Sequence, residues 1–447
     1  MKKLVFLAIV VVMALALVIP AAPIGAQDNV TIVFSHAFGD ERRQGWVQDV
    51  ANAYMAEHPN VTIELRVASS YRDNLNNALL ASEQGDAPHI VQIFEVGTQL
   101  ALDTGIFIPV SSVATPEQLA TLDDVIQPVL NYYKLGDDVW SLPWNSSSPI
   151  LYYNTEMFDK AGIAQPPATF GEVMDDCDIL MGMKDELGLQ ACIGWPMHSW
   201  MVEQWMSEQN ALLVNNDNGR TARATETNLD SDAMLTIFNW WKELADKGYY
   251  TYTGQFEDWN GSDAIFTGHQ VAMHITSTAD LANIIAAGEE NGFTVGSAML
   301  PIPDGVDRNG TVIGGASIWL TKDHPQAELD AAVDFMLFLG NTDNMVSWHK
   351  TTGYYPIRYS SIDALTQEGW FDQNPRFLVA FDQLTQTKVD YASGGALLGT
   401  FLETRTIIEQ AAQSVIDGGE DPMSALQNAK AQADQTLADY NDLLSSQ

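Results

Sequence analysis

The chain has 447 residues, 46% of them hydrophobic, with 58 acidic against 21 basic residues and a formal charge of −37. That length calls for more than one domain, and the apolar fraction allows sizeable cores. A surface so acidic repels nucleic acid and anionic lipid and excludes both as partners. An anionic ligand would have to be held by a few local donors, which makes each buried arginine informative.

Residues 1–26 read as a signal peptide. Lys2 and Lys3 precede an apolar run from Leu4 to Ile19, and small residues lead to a cleavage after Ala26. The run is shorter than the roughly 20 apolar residues of a membrane-spanning helix. No cysteine stands near the cleavage point to carry a lipid. The mature chain is therefore expected to be exported and soluble, in a periplasm or outside the cell. Cys177 and Cys192 are an even pair in an exported chain, which favours a disulfide over two buried thiols.

Val30 to Phe34 reads as a strand, followed by a helix from Glu41 with Trp46, Val50 and Tyr54 on one face. His58-Pro59-Asn60 stops it. Val61 to Val67 alternates as a strand, a second helix carries Leu75, Leu79 and Leu80 up to Gly85, and His89 to Phe94 is a third strand. Alternating strands and helices predict an α/β fold with a doubly wound sheet. Ligands of such sheets gather beyond the carboxyl ends of the strands, where Tyr71 and Glu95 fall.

Trp140-Ser-Leu-Pro-Trp-Asn-Ser-Ser-Ser-Pro-Ile-Leu-Tyr-Tyr-Asn154 is an extended run, a polar knot and a buried strand in tandem. Pro143 and Pro149 keep it out of a helix. Further on, Phe170 to Lys184 reads as a helix and Ala191 to Gly194 as a strand. Trp195, Trp200 and Trp205 serve either core packing or a stacking wall for a ligand. Asn215-Asn-Asp-Asn-Gly219 lacks the first ligand of a calcium loop, because Val214 stands there. Leu235 to Leu244 is an amphipathic helix, and Phe266 to Thr278 gives a turn and a strand that lead into a helix at Leu281. His269 and His274 have no third metal ligand at sensible spacing, so no metal is expected. Val312 to Leu320 is another strand, Ala327 to Leu339 a helix, and Pro422 starts the last helix.

Asn145-Ser-Ser-Ser-Pro-Ile-Leu-Tyr-Tyr-Asn154 resembles the hinge segment of family 1 extracellular solute-binding proteins of ABC importers. The likeness extends over almost the whole mature chain and is strongest to the branch that takes sn-glycerol-3-phosphate. It implies a two-lobed periplasmic-binding-protein fold, each lobe a doubly wound sheet flanked by helices, with three hinge crossings. Residues 27–146 and 314–362 would form the N-terminal lobe, and 147–313 and 363–447 the C-terminal lobe. The resemblance also implies a monomer that hands a small molecule to ABC permease subunits with their ATPase, with no cofactor.

Seven positions that contact ligand in that branch have matching residues here: Tyr71, Glu95, Ser147, Ser277, Gly315, Tyr354 and Arg405. Arg405 would grip two phosphate oxygens with its planar fork. Ser147, Ser277 and a tyrosine hydroxyl would add neutral donors. Glu95 would accept from glycerol hydroxyls at the other end, and Gly315 would let the backbone approach closely. An ion pair of Arg405 with Glu403 or Glu409 is the structural alternative. The chain departs from the branch in spacing between Trp195 and Trp205, and around His36.

No Gly-x-Ser-x-Gly elbow, His-Glu-x-x-His or phosphate-cradling Gly-x-x-x-x-Gly-Lys loop occurs, and no enzyme is expected. A neutral sugar or oligosaccharide is the second candidate ligand, supported by 12 tryptophans. A secreted carbohydrate-active enzyme is the third reading, which ligand turnover would reveal.

Overall fold

The computed structural model describes residues 29–136 and 138–446, so the expected signal peptide lies outside the described residues. The first half follows the alternation of the sequence. Strand β1 (Val30–His36) leads into helix α1 (Glu41–Glu57), which buries Trp46, Val50 and Tyr54. Asp40 caps that helix by accepting the Arg43 amide, so the turn after the strand is fixed by a side chain. Strand β2 (Val61–Val67), helix α2 (Tyr71–Glu83) and strand β3 (Ile90–Phe94) follow. Leu75 is buried as expected, whereas Leu80 is exposed, because α2 turns only one narrow face to the sheet.

The first sheet has six strands. β2, β1 and β3 lie side by side and parallel. Strands β4 (Phe107–Ile108) and β5 (Ser141–Ser147) precede a long excursion through the second sheet. The second sheet contains β6 (Pro149–Asn154), β7 (Ile193–Gly194), β8 (Tyr250–Thr251), β9 (Met273–Ser277) and β10 (Val295–Ala298), in the order β8-β7-β9-β6-β10. The chain then returns to the first sheet as β11 (Gly314–Thr321). β11 runs antiparallel to β3 on one side and to β4 and β5 on the other. β6 is likewise antiparallel to both of its neighbours. Each sheet is therefore mixed, and in each the antiparallel member adjoins a passage between the sheets.

The stretch from Asn145 to Pro149 is one such passage, and its serines are tied on several sides. The Tyr355 amide donates to the Ser146 carbonyl at 2.8 Å, and the Thr278 amide donates to the Ser148 carbonyl at 3.0 Å. Gln383 donates to the Ser148 hydroxyl at 3.1 Å and to the Pro149 carbonyl at 2.9 Å. A backbone crossing between two cores needs all its polar groups paired. Here the partners come from three distant parts of the chain.

Helix α3 (Phe170–Gly182) ends before the expected Lys184, and only Ile193 and Gly194 of the expected strand pair in the sheet. Cys177, on α3, is bonded to Cys192, with their Cα atoms 5.4 Å apart. The pair fastens the helix to the strand that follows it. For a loop of this size, closure of the unfolded chain is worth about 3 kcal/mol. The Cys177→Ser/Cys192→Ser double variant should lose about that much in urea unfolding, and native protein should show no free thiol under denaturant. A double variant as stable as the parent would contradict the assignment.

Candidate functional site

A cavity of about 480 Å³ opens between the two sheets. Its wall includes Tyr71, Glu95, Ser147, Ser277, Gly315, Tyr354 and Arg405 together. All seven sequence-derived positions thus meet in one place, although they are scattered over more than 330 residues. Local structure explains how several arrive there. Tyr71 opens α2, Glu95 follows β3 directly, and Ser277 ends β9, each at the carboxyl end of a strand or just after one.

Tyr71 is held on two sides. Its ring stacks on Phe94 with centroids 5.5 Å apart, and its hydroxyl accepts from Asn145 at 2.9 Å. Asn145 in turn accepts from Gln92 at 2.9 Å, and Gln92 accepts the Ala37 amide at 2.8 Å. This chain of buried amides fixes the hydroxyl's position. Burial and the neighbouring Tyr354 keep the phenol protonated, so it serves as a neutral hydrogen-bonding group.

Gly315 has φ +98°, and a Cβ there would stand 1.9 Å from the Asn145 carbonyl oxygen. Any side chain would be both strained and obstructed. A register shift between Ala316 and Ser317 follows directly, so the glycine serves a bulge as well as the cavity wall. Ser277 accepts the Ala279 amide at 3.1 Å. That amide is therefore already taken.

Arg405 departs most from expectation. It lies on the helix Phe401–Ile416 and is buried. Its Nε and Nη2 donate to the two oxygens of Glu203 at 2.7 and 2.8 Å, and Nη2 also donates to Glu95 at 2.7 Å. Burial alone would weaken the guanidinium charge, but Glu203 and Glu95 outweigh it and hold it firmly cationic. Glu95 and Arg405 are thus in direct contact and cannot grip opposite ends of a ligand. The ion-pair partners are also not those suggested by sequence proximity. Glu409 accepts the Ser199 amide at 3.1 Å instead. Glu203 belongs to the helix Ser199–Glu208, whose tryptophans masked it as a core segment.

The tryptophans divide. Trp195 and Trp205 are fully buried in the core, whereas Trp200 lines the cavity and meets Trp259 edge-on at 5.9 Å. Arg43, Trp259, Glu257 and Asp280 also line the wall and were not singled out from sequence. Arg43 and Asp280 follow the ends of β1 and β9, the same kind of position that pointed to Tyr71 and Glu95. Among the described residues, two clusters bring three metal-ligating side chains together: His89, His324 and Glu328, and His198, Glu257 and Glu409. His89 and His198 each accept a backbone amide at Nδ1, from Val33 and Trp200. Their remaining nitrogens then carry the proton, which leaves no lone pair for a metal.

Glu409 is pushed up to about 8 by burial, with repulsion from Glu257 and Glu203 adding to it. The folded protein therefore holds a proton that the unfolded chain releases near 4.5. This contribution to stability is full below that lower value and is lost as pH rises through about 8. Glu409→Gln should raise the melting temperature relative to the parent at pH 8.5 and change it little at pH 5. An equal shift at both values would contradict the assignment.

Residues 49–378 match the family model of bacterial extracellular solute-binding proteins. The chain is 29% identical over 415 residues to the sn-glycerol-3-phosphate-binding periplasmic protein UgpB of Pectobacterium atrosepticum, covering 91% of this chain and 90% of that one. It is 28% identical over 421 residues to UgpB of Escherichia coli K12, covering 92% and 93%. Among solved structures, UgpB from Mycobacterium tuberculosis in complex with glycerophosphocholine superposes with a TM-score of 0.76 at 20% identity, over 92% of this chain and 99% of that one. The GacH receptor of Streptomyces glaucescens, studied in complex with acarbose, gives 0.76 at 16% identity, over 92% and 100%. These structures share the two-lobed α/β fold. The chain therefore belongs to the bacterial extracellular solute-binding proteins, the components of ABC importers that bind a solute without converting it.

Proposed function

We propose that the protein captures sn-glycerol-3-phosphate or a glycerophosphodiester between its lobes and delivers it to membrane permease subunits with their ATPase. The convergence of Tyr71, Glu95, Ser147, Ser277, Gly315, Tyr354 and Arg405 on one cavity carries this reading. The two curated relatives named above support it, since both bind sn-glycerol-3-phosphate by name.

The contacts suggest a division of labour. Arg405 is already engaged by two carboxylates, Glu203 and Glu95. A phosphate there would meet two carboxylates. The Glu95–Arg405 pair instead offers acceptors and donors side by side, which suits the hydroxyls of glycerol. The phosphate then falls to Tyr71, Ser147, Ser277, Tyr354 and the Gly315 backbone. The cavity lies within the range of about 300–1,000 Å³ typical of drug-sized ligands. That leaves room for a substituent on the phosphate, toward Trp200 and Trp259, and favours a diester.

The lobe division of the sequence analysis makes this a clamp, with Tyr71, Glu95 and Tyr354 on one lobe and Ser277 and Arg405 on the other. Ligand would stabilise the closed form by bridging them. Among the described residues no helix is long and apolar enough to cross a membrane. We place the mature protein, as a monomer, in the periplasm or outside the cell.

A neutral sugar or oligosaccharide is the second reading. The saturation of Arg405 by two carboxylates and the aromatic wall of Phe94, Trp200 and Trp259 favour it. Thermal shift with sn-glycerol-3-phosphate, glycerophosphocholine and maltose separates the two. The phosphorylated compounds should raise the melting temperature in proportion to the logarithm of concentration and be recovered unchanged. A shift with maltose alone would move the sugar reading ahead, and release of phosphate above the buffer rate would contradict a pure binder. Small-angle scattering should show a smaller radius of gyration at saturation, and an unchanged radius would count against the clamp.

A further inference from the structure

The neutral groups assigned to the phosphate leave its charge unmatched, and Arg405 is already committed to Glu203 and Glu95. Arg43 is a second cavity-lining arginine, three residues into α1. Its Nη2 donates to the Ala279 carbonyl at 3.0 Å and to Asp280 at 2.6 Å, both just beyond β9 of the other sheet. Its guanidinium lies over the Tyr354 ring, 5.5 Å from the centroid. One of its neighbours, Tyr354, therefore belongs to the group of hydroxyl-bearing positions, and another, Ala279, donates its amide to a second member, Ser277. The remaining carboxylate near it, Asp40, stands 3.5 Å from Nη1 and is partly exposed to solvent. Its Nε is buried and has no hydrogen-bond partner among the described residues. That nitrogen is closed off from the cavity, so a ligand oxygen would meet the guanidinium at its Nη atoms.

We infer that Arg43 is the residue that selects an anionic ligand: its guanidinium, anchored by Ala279 and Asp280, supplies the charge for the phosphoryl oxygens beside Tyr71, Tyr354 and Ser277. This rests on the phosphorylated-ligand reading above. Asp280 is then a positioning residue that holds the guanidinium in place while the cleft is empty. It also competes with the ligand for the same charge, so removing its negative charge does not harm anion binding.

Isothermal titration with sn-glycerol-3-phosphate tests this on the full protein. Arg43→Met keeps the apolar stem and should weaken binding by about thirtyfold or more. Arg43→Lys keeps the charge without the fork and should recover part of the loss. Asp280→Asn keeps an oxygen for Arg43 beside the Ala279 carbonyl and removes the competing charge, so its affinity should exceed that of the parent. If Arg43 served only as a bridge, Asp280→Asn would weaken binding as much as Arg43→Met, and that result overturns the inference. So does a parent-like affinity of folded Arg43→Met. A parent protein that binds no phosphorylated ligand overturns the ligand reading itself, a result distinct from normal parent binding with an indifferent Arg43→Met.

Discussion

The buried Arg405, held between Glu203 and Glu95, governs the chemistry of the cleft. Burying charges is expensive unless they are paired and hydrogen-bonded. Here three charge-assisted hydrogen bonds of 2.7–2.8 Å meet that requirement. Glu203 and Arg405 come from helices packed around the second sheet, and Glu95 follows a strand of the first. The group therefore does more than place a cation in the wall. It joins the two halves of the molecule and sets the local field, in which two carboxylates flank one guanidinium. Whatever binds beside it is recognised by paired donors and acceptors rather than by simple opposite charge.

The opposite side of the cavity is built differently. There the hydroxyls of Tyr71, Ser147, Ser277 and Tyr354 stand beside the Arg43 guanidinium, and those of Tyr71 and Ser277 are fixed by amide contacts. Asn145 holds Tyr71, Gln92 holds Asn145, and Gly315 has a backbone conformation and a clearance that a side chain would forfeit. The same stretch that carries Asn145 carries the passage between the sheets. A change in lobe orientation at Ser148 and Pro149 would thus act on residues adjacent to the cavity wall. In the proposed clamp, recognition and closure would share a few residues of backbone, which suits a protein that reports occupancy through its shape.

Much of this was legible in the sequence. The alternation from Val30 to Phe94 gave three parallel strands within two residues of their ends, because period and turn residues agree there. Strand carboxyl ends pointed to Tyr71 and Glu95. Other features were hidden for physical reasons. The partner of Arg405 lies 202 residues away, and pairings of that kind leave no local pattern. Glu409 stands one turn along the same helix and looked suitable, yet it caps the helix that begins at Ser199. Glu203 sits among tryptophans and methionines and read as part of a core. Arg43 belongs to a run of charges at a helix start, where exposure is the ordinary outcome, and only the opposing sheet reveals that it is enclosed. The antiparallel strands β6 and β11 could not be foreseen from periodicity, since strand direction follows from the route of the chain between the lobes.

The central claim is that the two ends of the cleft differ: a polyol end at Glu95 and Arg405, and an anion end at Tyr71, Ser147, Ser277, Gly315 and Tyr354. A crystal structure of the complex with sn-glycerol-3-phosphate measures this directly. The account predicts phosphoryl oxygens within about 3 Å of the Tyr71 and Ser147 hydroxyls and the Gly315 amide, with the glycerol hydroxyls on Glu95 and Arg405. Phosphate seated on Arg405, with Glu95 or Glu203 displaced from it, would contradict the account.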